Sequence, residues 1–356
     1  MELELSFFRN KKVFLTGNTG FKGSWITLIL NELGALVYGY SLKTETNPNM
    51  YEILNLENTI NQTFDDIRNY DALKNSLKKC NPDIIIHFAA QPLVRDSYEN
   101  PKYTYETNVM GTVNLLDIAK ELDSLKSVLV ITSDKSYRNN ETDYAYIEND
   151  SLGGHDPYSN SKACADLIAS SYYNSFFSHI GVGLAIARAG NIIGGGDWSK
   201  DRIIPDAVRA FSLGKTLEIR NPDSVRPWQY ILDPLFGYLS LIKNLSLDQN
   251  LFSGPWNFGP SIKSNESVKY VCDKIINKWG NNSQWVVKNS QRKLHEANLL
   301  MLNSGKASEK IKWSPKYDTN KAINKTIDWY KRYYREMDML ELTIKEIEHY
   351  YKNYYD

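Results

Sequence analysis

Three glycines at three-residue spacing near the start of the chain constrain its fold more than any other feature. Gly17, Gly20 and Gly23 follow the short apolar run Val13–Leu15 and precede a longer run with helical periodicity. This order of strand, glycine turn and helix is typical of a dinucleotide site, because the glycines allow a tight turn and close approach of the backbone to a pyrophosphate. A further apolar run, Leu36–Tyr40, predicts the next strand of a βαβ unit. A glycine-rich turn in some other βα unit is the alternative.

The composition narrows the class of protein. The chain has 356 residues, enough for one large α/β unit or two packed domains. The 42 basic and 42 acidic residues cancel, which argues against binding to nucleic acid or to a membrane surface. The three cysteines are far apart and form no CxxC pair, so we expect a reduced compartment and no metal site. We expect a cytoplasmic protein, because neither a secretory signal nor a bilayer-spanning run stands out.

The end of the second strand lacks the carboxylate that selects NAD over NADP. Such sites usually carry Asp or Glu about 20 residues beyond the glycines, where this chain has Ser41–Lys43. The preference between the two cofactors therefore stays open. The polar segment Leu42–Leu56 predicts a loop, and Thr63–Arg68 predicts a short strand. Its Asp66 either reaches the adenine amino group or caps the predicted helix Tyr70–Cys80.

Two later apolar runs, Asp83–Gln91 and Ser127–Ile131, predict central parallel strands. We interpret His87, inside the first run, as a buried core residue. A predicted helix, Tyr103–Leu122, separates the two runs. Open α/β sheets bind ligands at the carboxyl ends of their strands. The second run ends in four polar side chains, which makes them candidate catalytic residues: Thr132, Ser133, Asp134 and Lys135.

A tyrosine and a lysine four residues apart begin a predicted helix that continues to about Tyr173. The spacing places Tyr158 and Lys162 on one helix face. A lysine ammonium near a phenol favours the phenolate and lowers its pKa, so Tyr158 is a candidate general base or acid. The isolated pattern usually marks only a solvated face, but here it follows a polar strand end in a chain with a dinucleotide loop.

The remaining sequence predicts a strand at Gly183–Arg188, a glycine-rich loop, and then a less regular part. Three arginines there suit a phosphorylated ligand, because guanidinium forks bind phosphate oxygens in pairs: Arg202, Arg220 and Arg226. Ser267–Trp279 and Lys321–Tyr355 predict helices. The whole pattern predicts an α/β fold, a Rossmann-type doubly wound parallel sheet with a smaller C-terminal mixed α/β substrate lobe. We expect domains at 1–190 and 191–356, with a later strand and helix returning to the first.

The chain resembles the sugar-nucleotide dehydratases of the extended short-chain dehydrogenase/reductase superfamily. The similarity extends from about Lys11 to the C-terminal helix. It rests on the Tyr158–Lys162 pair and on six further motifs: Thr16–Gly23, Ala89–Arg95, Thr132–Lys135, Gly153–Tyr158, Arg188–Asn191 and Gly194–Trp198.

This resemblance implies a bound NAD and a nucleotide-sugar substrate, with CDP-glucose expected. It implies that Tyr158 removes the proton of the C4 hydroxyl and that Lys162 assists it. Water is then lost across C5 and C6. Asp134 would act as the acid, and Lys135 as a base or as a cation that stabilises the enolate. Thr132 or Ser133 would bind the C4 oxygen.

The resemblance also implies the binding residues and the assembly. The cofactor residues would be Gly17, Asn18, Gly20, Phe21, Lys22, Gly23, Asp66, Ile67, Phe88, Ala89, Ala90, Asn108, Tyr158 and Lys162. The substrate residues would be Gln91, Asn191, Arg202, Arg220 and Arg226. Relatives pair through two helices, so a homodimer or homotetramer is expected. Two alternatives stay open: an epimerase or decarboxylase of the same superfamily, and a non-catalytic sensor of NAD(P) or a sugar nucleotide.

Overall fold

The computed structural model describes residues 6–261, 264–288 and 299–355. Its central sheet has seven strands: β1 (Lys12–Thr16), β2 (Leu36–Ser41), β3 (Asn61–Phe64), β4 (Ile84–His87), β5 (Ser127–Ile131), β7 (Gly183–Arg188) and β12 (Gly254–Asn257). The strands lie in the order β3-β2-β1-β4-β5-β7-β12, and each neighbouring pair is parallel. The strand order reverses between β1 and β4, where open α/β sheets form a ligand crevice at their carboxyl ends.

Helices cover both faces of this sheet. Those that pack on it are α1 (Phe21–Glu32), α3 (Tyr70–Cys80), α6 (Gly111–Ala119), α7 (Pro157–Ser175) and α9 (Leu232–Leu247). Val13 and Leu15 of β1 join the core on the side of α1 and α9. Phe14 joins the core on the side of α3 and α6. Because successive strand side chains point to opposite faces, this alternation gives a doubly wound α/β fold and confirms the predicted class.

Shorter elements build the rest of the molecule. The further helices are α2 (Met50–Ile53), α4 (Val94–Glu99), α5 (Pro101–Tyr105), α8 (Ile203–Ser212), α10 (Gln249–Phe252), α11 (Val268–Trp279), α12 (Gly305–Ile311), α13 (Thr319–Tyr333) and α14 (Met339–Tyr355). The further strands are β6 (Ala145–Tyr146), β8 (Ile192–Ile193), β9 (Leu217–Ile219), β10 (Val225–Pro227), β11 (Gln229–Tyr230), β13 (Asn265–Ser267), β14 (Trp285–Val287) and β15 (Met301–Leu302). They pair as β6–β15, β8–β11, β9–β14 and β10–β13.

Two predicted elements differ from the structure. The predicted loop Leu42–Leu56 contains α2, whose first turn is capped by the Asn49 side chain accepting from the Glu52 N–H at 2.9 Å. The predicted helix Lys321–Tyr355 is two helices, α13 and α14. The chain turns at Glu336, which has a left-handed φ of 55°, and Asp338 then accepts the N–H of Glu341. Helical periodicity continues across this break and therefore did not reveal it.

Asp66 does not cap α3, so that alternative is wrong. The cap is Asn69, which accepts the Ala72 N–H, while Asp66 pairs with Arg68. The predicted helix Tyr103–Leu122 is interrupted by a π-helical turn at Glu106–Met110. Such turns are frequent at functional sites.

The C-terminal helix α14 docks on a buried carboxylate. The Tyr350 hydroxyl and the backbone N–H of Lys316 donate to Oδ1 of Asp233, in the first turn of α9. Burial raises the pKa of Asp233 to about 7, although these hydrogen bonds oppose the shift. The native state therefore binds a proton more tightly than the unfolded chain does.

The free energy of unfolding is expected to fall as the pH rises from about 4 to about 7, by about 1.4 kcal/mol for each unit by which the two pKa values differ. Asp233→Asn removes the titrating group and should flatten this slope. Urea unfolding at a series of pH values measures both slopes. Equal slopes in the two proteins would contradict the assignment to Asp233.

Within the described residues, no helix is long and apolar enough to span a membrane. The same residues contain no group of three or more His, Cys, Asp or Glu side chains placed to hold a metal ion.

Candidate active site

A cavity of about 1150 Å³ opens at the carboxyl ends of the central strands. Its walls come from the end of β5, the start of α7, the loop after β7 and the irregular part that follows. The predicted site residues that line it are Phe21, Lys22, Thr132, Ser133, Asp134, Lys135, Tyr158, Asn191, Arg202, Arg220 and Arg226. The structure thus brings the predicted catalytic residues other than Lys162, and the predicted substrate-binding residues other than Gln91, to one cavity.

The glycine loop is shaped for close backbone approach. Gly17 has a left-handed φ of 71°, and a Cβ there would lie 2.6 Å from the backbone nitrogen of Ala89. A Cβ on Gly23 would lie 2.1 Å from the carbonyl oxygen of Gly17. Gly20 is the residue before α1, so no side chain covers the N–H groups at that helix N-terminus. These features fit a dinucleotide diphosphate.

Some polar side chains around the glycine loop are hydrogen-bonded to each other. The Asn18 amide donates to Gln62 at 2.6 Å, while its buried Oδ1 has no hydrogen-bond partner in the part of the chain that the structure describes. At the end of β2, the Ser41 and Thr19 hydroxyls lie 2.6 Å apart. The β2 end therefore offers hydroxyl groups and not a carboxylate to a cofactor ribose.

The predicted adenine side lies between β3 and the π-helical turn. Two bonds from Arg68 lower the pKa of Asp66, which keeps the carboxylate ionised and able to accept a hydrogen bond. Ile67 is buried, and a Cβ on Gly111 would meet its side chain at 2.7 Å. After β4, the half-buried Phe88, Ala89 and Ala90 follow the strand.

Asn108 and Gln91 support the site and are bonded internally. The Asn108 amide accepts the Gln91 N–H at 2.7 Å and donates to the Ser161 hydroxyl at 2.8 Å. The Gln91 amide donates to Thr104 at 2.9 Å and to the Leu93 carbonyl at 3.1 Å. Asn108 therefore braces the loop after β4 against α7, and Gln91 braces it against α5. Contact of the Gln91 side chain with a substrate would require these bonds to break.

Tyr158 and Lys162 lie in the first turns of α7, as their spacing predicts. The Lys162 ammonium donates to the Ile131 carbonyl at 3.0 Å. Burial, reinforced by the charge of Lys22, lowers the pKa of Lys162 to about 7. Burial also raises the pKa of Tyr158 to about 12, against the effect of a hydrogen bond with Ser133 and the charge of Arg202. The sequence predicts a lowered pKa for Tyr158, and the protein alone has the opposite shift, because desolvation of the phenolate outweighs these favourable contacts.

The polar end of β5 holds its carboxylate tightly. Oδ1 of Asp134 accepts from the Ser133 hydroxyl and from the Lys135 N–H, each at 2.9 Å, while the buried Oδ2 has no partner among the described residues. A Cβ on Gly190 would lie 1.8 Å from this Oδ2, so only glycine leaves room for the carboxylate. Thr132 donates away from the cavity, to Asp166 at 3.2 Å.

Charged side chains line the cavity beyond the β5 end. Arg202 pairs with Asp197 at 2.7 Å, and Arg220 pairs with Asp201 at 2.7 Å. Burial and the charge of Arg202 lower the pKa of Lys22 to about 8. Asn191 has a left-handed φ of 45°, and its buried Nδ2 has no partner in the described parts of the chain. Arg226 donates to the Val225 carbonyl at 2.9 Å.

Three charged residues of the site, Asp166, Arg188 and Asp197, had no role predicted from the sequence. All three are buried. Arg188 and Asp197 stand inside motifs that carry the resemblance, but only long-range contacts reveal their partners. A charged residue at the end of an otherwise apolar strand, as at Arg188, was the available signal.

The fold and the cavity are those of a Rossmann-type protein with a tyrosine–lysine pair beside a buried carboxylate. Residues 14–326 match the family described as GDP-mannose 4,6 dehydratase. The CDP-glucose 4,6-dehydratase of Salmonella typhimurium is 45% identical over 353 residues, which cover 98% of each chain.

Solved structures agree with this fold. An epimerase of Methanothermobacter thermautotrophicus superposes with a TM-score of 0.81 at 21% identity, over 96% of each chain. The dTDP-glucose 4,6-dehydratase of Bacillus anthracis, solved in complex with NAD, has a TM-score of 0.73 at 22% identity, over 93% of this chain and 99% of that one. The chain belongs to the GDP-mannose 4,6 dehydratase family.

Proposed function

We propose that this protein is an NAD-dependent nucleotide-sugar 4,6-dehydratase that converts CDP-glucose to CDP-4-keto-6-deoxyglucose. The observation that carries the substrate assignment is the 45% identity, over nearly the full length of both chains, to an enzyme named for that reaction. The common cavity of Tyr158, Ser133 and Asp134 supports the reaction type.

The cofactor would be held by the glycine loop, by the N-terminus of α1 and by Asp66. The close backbone contacts of Gly17 and Gly23 and the unpartnered Oδ1 of Asn18 support this assignment. NAD, when bound, supplies a hydride acceptor and later returns the hydride. The hydroxyl groups of Ser41 and Thr19 would face the cofactor ribose.

The first proton transfer is assigned to Tyr158. Its phenolate takes the proton of the C4 hydroxyl, and the Ser133 hydroxyl, which bonds to Tyr158, orients the C4 oxygen. A buried phenol with a raised pKa needs nearby positive charge to ionise. Arg202 and the protonated fraction of Lys162, whose pKa burial lowers to about 7, would supply this charge. Thr132 is the weaker choice for the C4 oxygen, because its hydroxyl donates to Asp166.

Loss of water is assigned to Asp134 and Lys135. The unpartnered Oδ2 of Asp134 is the atom that would give a proton to the departing C6 hydroxyl. Lys135 lines the same cavity and would take the C5 proton or stabilise the enolate by its charge. The C6 hydroxyl leaves as water with the proton of Asp134, the hydride removed from C4 is returned to C6, and a proton is returned to C5, so the atoms balance.

The diphosphate is assigned to the arginine-lined part of the cavity. Arg202, Arg220 and Arg226 lie along it, together with Asn191, whose Nδ2 is free to donate. Charge-assisted bonds from guanidinium groups are the strong contacts for phosphate oxygens. We place the nucleotide sugar here, in a C-terminal lobe formed mainly by residues 191–356.

We infer a homodimer or homotetramer with α5, α6 and α7 at a contact between copies. Large apolar side chains are exposed along this surface: Tyr105, Met110 and Leu167. Leu167 alone is 58% exposed. Light scattering of the purified chain measures the assembly, and a Leu167→Glu variant is expected to shift it toward monomer.

The substrate assignment is tested with CDP-, UDP-, GDP- and dTDP-glucose in parallel. Formation of a 4-keto product is followed by its absorbance in alkali. We expect kcat/KM for CDP-glucose to be at least about tenfold above kcat/KM for the other three nucleotide sugars, since discrimination of this size needs only about 1.4 kcal/mol. A higher value with another nucleotide would reassign the substrate. Interconversion of sugar epimers without a keto product would favour the epimerase alternative.

A further inference from the structure

A buried ion pair lies directly behind the proposed catalytic groups. Arg188 is the last residue of β7, and Asp166 lies on α7, one helical turn after Lys162. Their side chains are 3% and 1% exposed. The guanidinium binds both carboxylate oxygens, at 2.7 Å from Nε to Oδ2 and at 2.8 Å from Nη2 to Oδ1. This two-point contact fixes the orientation of the carboxylate relative to the strand.

Stability alone does not account for such a pair. Burying two charges has a large desolvation cost, and apolar side chains of similar volume often replace a buried pair without loss of stability. Arg188 and Asp166 therefore need a reason that concerns position. Two chains of hydrogen bonds leave the pair and supply that reason.

The first chain of bonds reaches the end of β5. The Thr132 hydroxyl donates to Oδ2 of Asp166 at 3.2 Å. Thr132 immediately precedes Ser133 and Asp134, whereas Asp166 belongs to the same helix as Tyr158 and Lys162. This contact therefore sets the position of the β5 end relative to the tyrosine–lysine helix.

The second chain of bonds reaches the cavity wall. Nη1 of Arg188 donates to the Tyr137 hydroxyl at 2.7 Å and to the Glu148 carbonyl at 2.9 Å. The Tyr137 hydroxyl in turn donates to Asn257 at 2.8 Å. Arg138 and Asn139, the two residues after Tyr137, line the cavity. Arg188, at the end of β7, thus holds the part of the cavity wall that begins at Tyr137 to the central sheet.

We propose that Arg188 and Asp166 are positioning residues for the dehydration. Through Thr132 they set the distance between the proton-transfer groups on α7 and the acid on β5, which governs kcat. Through Tyr137 they hold the wall that receives the nucleotide sugar, which governs KM. The inference rests on the proposed function for the reaction that the tests measure, whereas the hydrogen-bond network around Arg188 and Asp166 does not depend on it.

The decisive variant removes both charges together, as Asp166→Leu with Arg188→Met. It is expected to keep a thermal midpoint within a few degrees of the wild type, and to lower kcat about 10- to 100-fold, the effect of misplacing reacting groups by about 1 Å. The pH profile of kcat should also shift. The control, Lys278→Gln with Asp328→Asn, removes an exposed pair between α11 and α13 and should change neither quantity. A double variant with the kcat and pH profile of the wild type would overturn the proposal.

Two single variants test the same proposal if the double variant does not fold. Thr132→Val keeps the ion pair and should lower kcat with KM unchanged. Tyr137→Phe should raise KM for the nucleotide sugar with kcat unchanged, and the reverse pattern in either variant would overturn the proposal. The values of kcat and KM for each variant and for the wild type are measured with whichever nucleotide sugar of the panel the wild-type chain converts. Inactivity toward CDP-glucose would then reject the substrate assignment without contradicting the positioning role of Arg188 and Asp166.

Discussion

Tyr158→Phe is expected to lower kcat for dehydration about 10²- to 10⁴-fold, the usual contribution of a positioned general base. The phenol lines the cavity beside Ser133, and phenylalanine keeps the ring while it removes only the hydroxyl. The thermal midpoint should therefore stay close to that of the wild type. Steady-state formation of the keto product measures kcat, and thermal unfolding measures the midpoint.

The sign of the pH dependence gives a second test of Tyr158. Burial raises the pKa of Tyr158 to about 12 in the protein alone, so the phenol is protonated at neutral pH. Because the base form is the deprotonated one, wild-type kcat should rise with pH across the neutral range. The residual activity of Tyr158→Phe should lack that rise.

Tyr317→Phe is the matched control for this substitution. It removes another buried tyrosine hydroxyl, one that has no hydrogen-bond partner within residues 6–261, 264–288 and 299–355 and lies outside the cavity lining. Its kcat should equal that of the wild type. Similar losses in both variants would mean that Tyr158 acts through packing and not through proton transfer.

Local patterns in the sequence predicted the parts of the fold that local physics determines. The spacing of Gly17 and Gly23 requires a tight turn and a close helix, and the structure has both. The four-residue spacing of Tyr158 and Lys162 places them on one side of α7 because a helix repeats every 3.6 residues. Apolar runs predicted the central strands, because a strand that is buried on both faces is apolar along its length and does not alternate between apolar and polar residues.

Contacts between distant residues account for what the sequence did not predict. The Tyr158 pKa has the opposite shift because burial, which depends on the whole fold, outweighs the neighbouring charges. The pairing of Arg188 with Asp166 joins residues 22 positions apart on different elements. The space for the Asp134 carboxylate depends on Gly190, which lies just after the end of another strand, β7. No spacing rule relates these positions.

Asp134→Asn is expected to lower formation of the 4-keto-6-deoxy product about 10²- to 10³-fold, because an amide is not acidic enough to transfer a proton to the departing C6 hydroxyl. The substitution is nearly isosteric. The asparagine Oδ1 can still accept from the Ser133 hydroxyl and the Lys135 N–H, and only the unpartnered Oδ2 is replaced.

The step that fails distinguishes the dehydratase from its alternative. Oxidation at C4, which we assign to Tyr158, should continue in Asp134→Asn, so absorbance of the reduced cofactor at 340 nm should rise in a single turnover and then persist. In the wild-type chain this signal should decay as the cofactor is reoxidised. An epimerase has no hydroxide to expel at C6, so its turnover should be nearly unchanged by the substitution. If the absorbance rise disappears together with product formation, Asp134 serves the oxidation and the assignment of the acid is wrong.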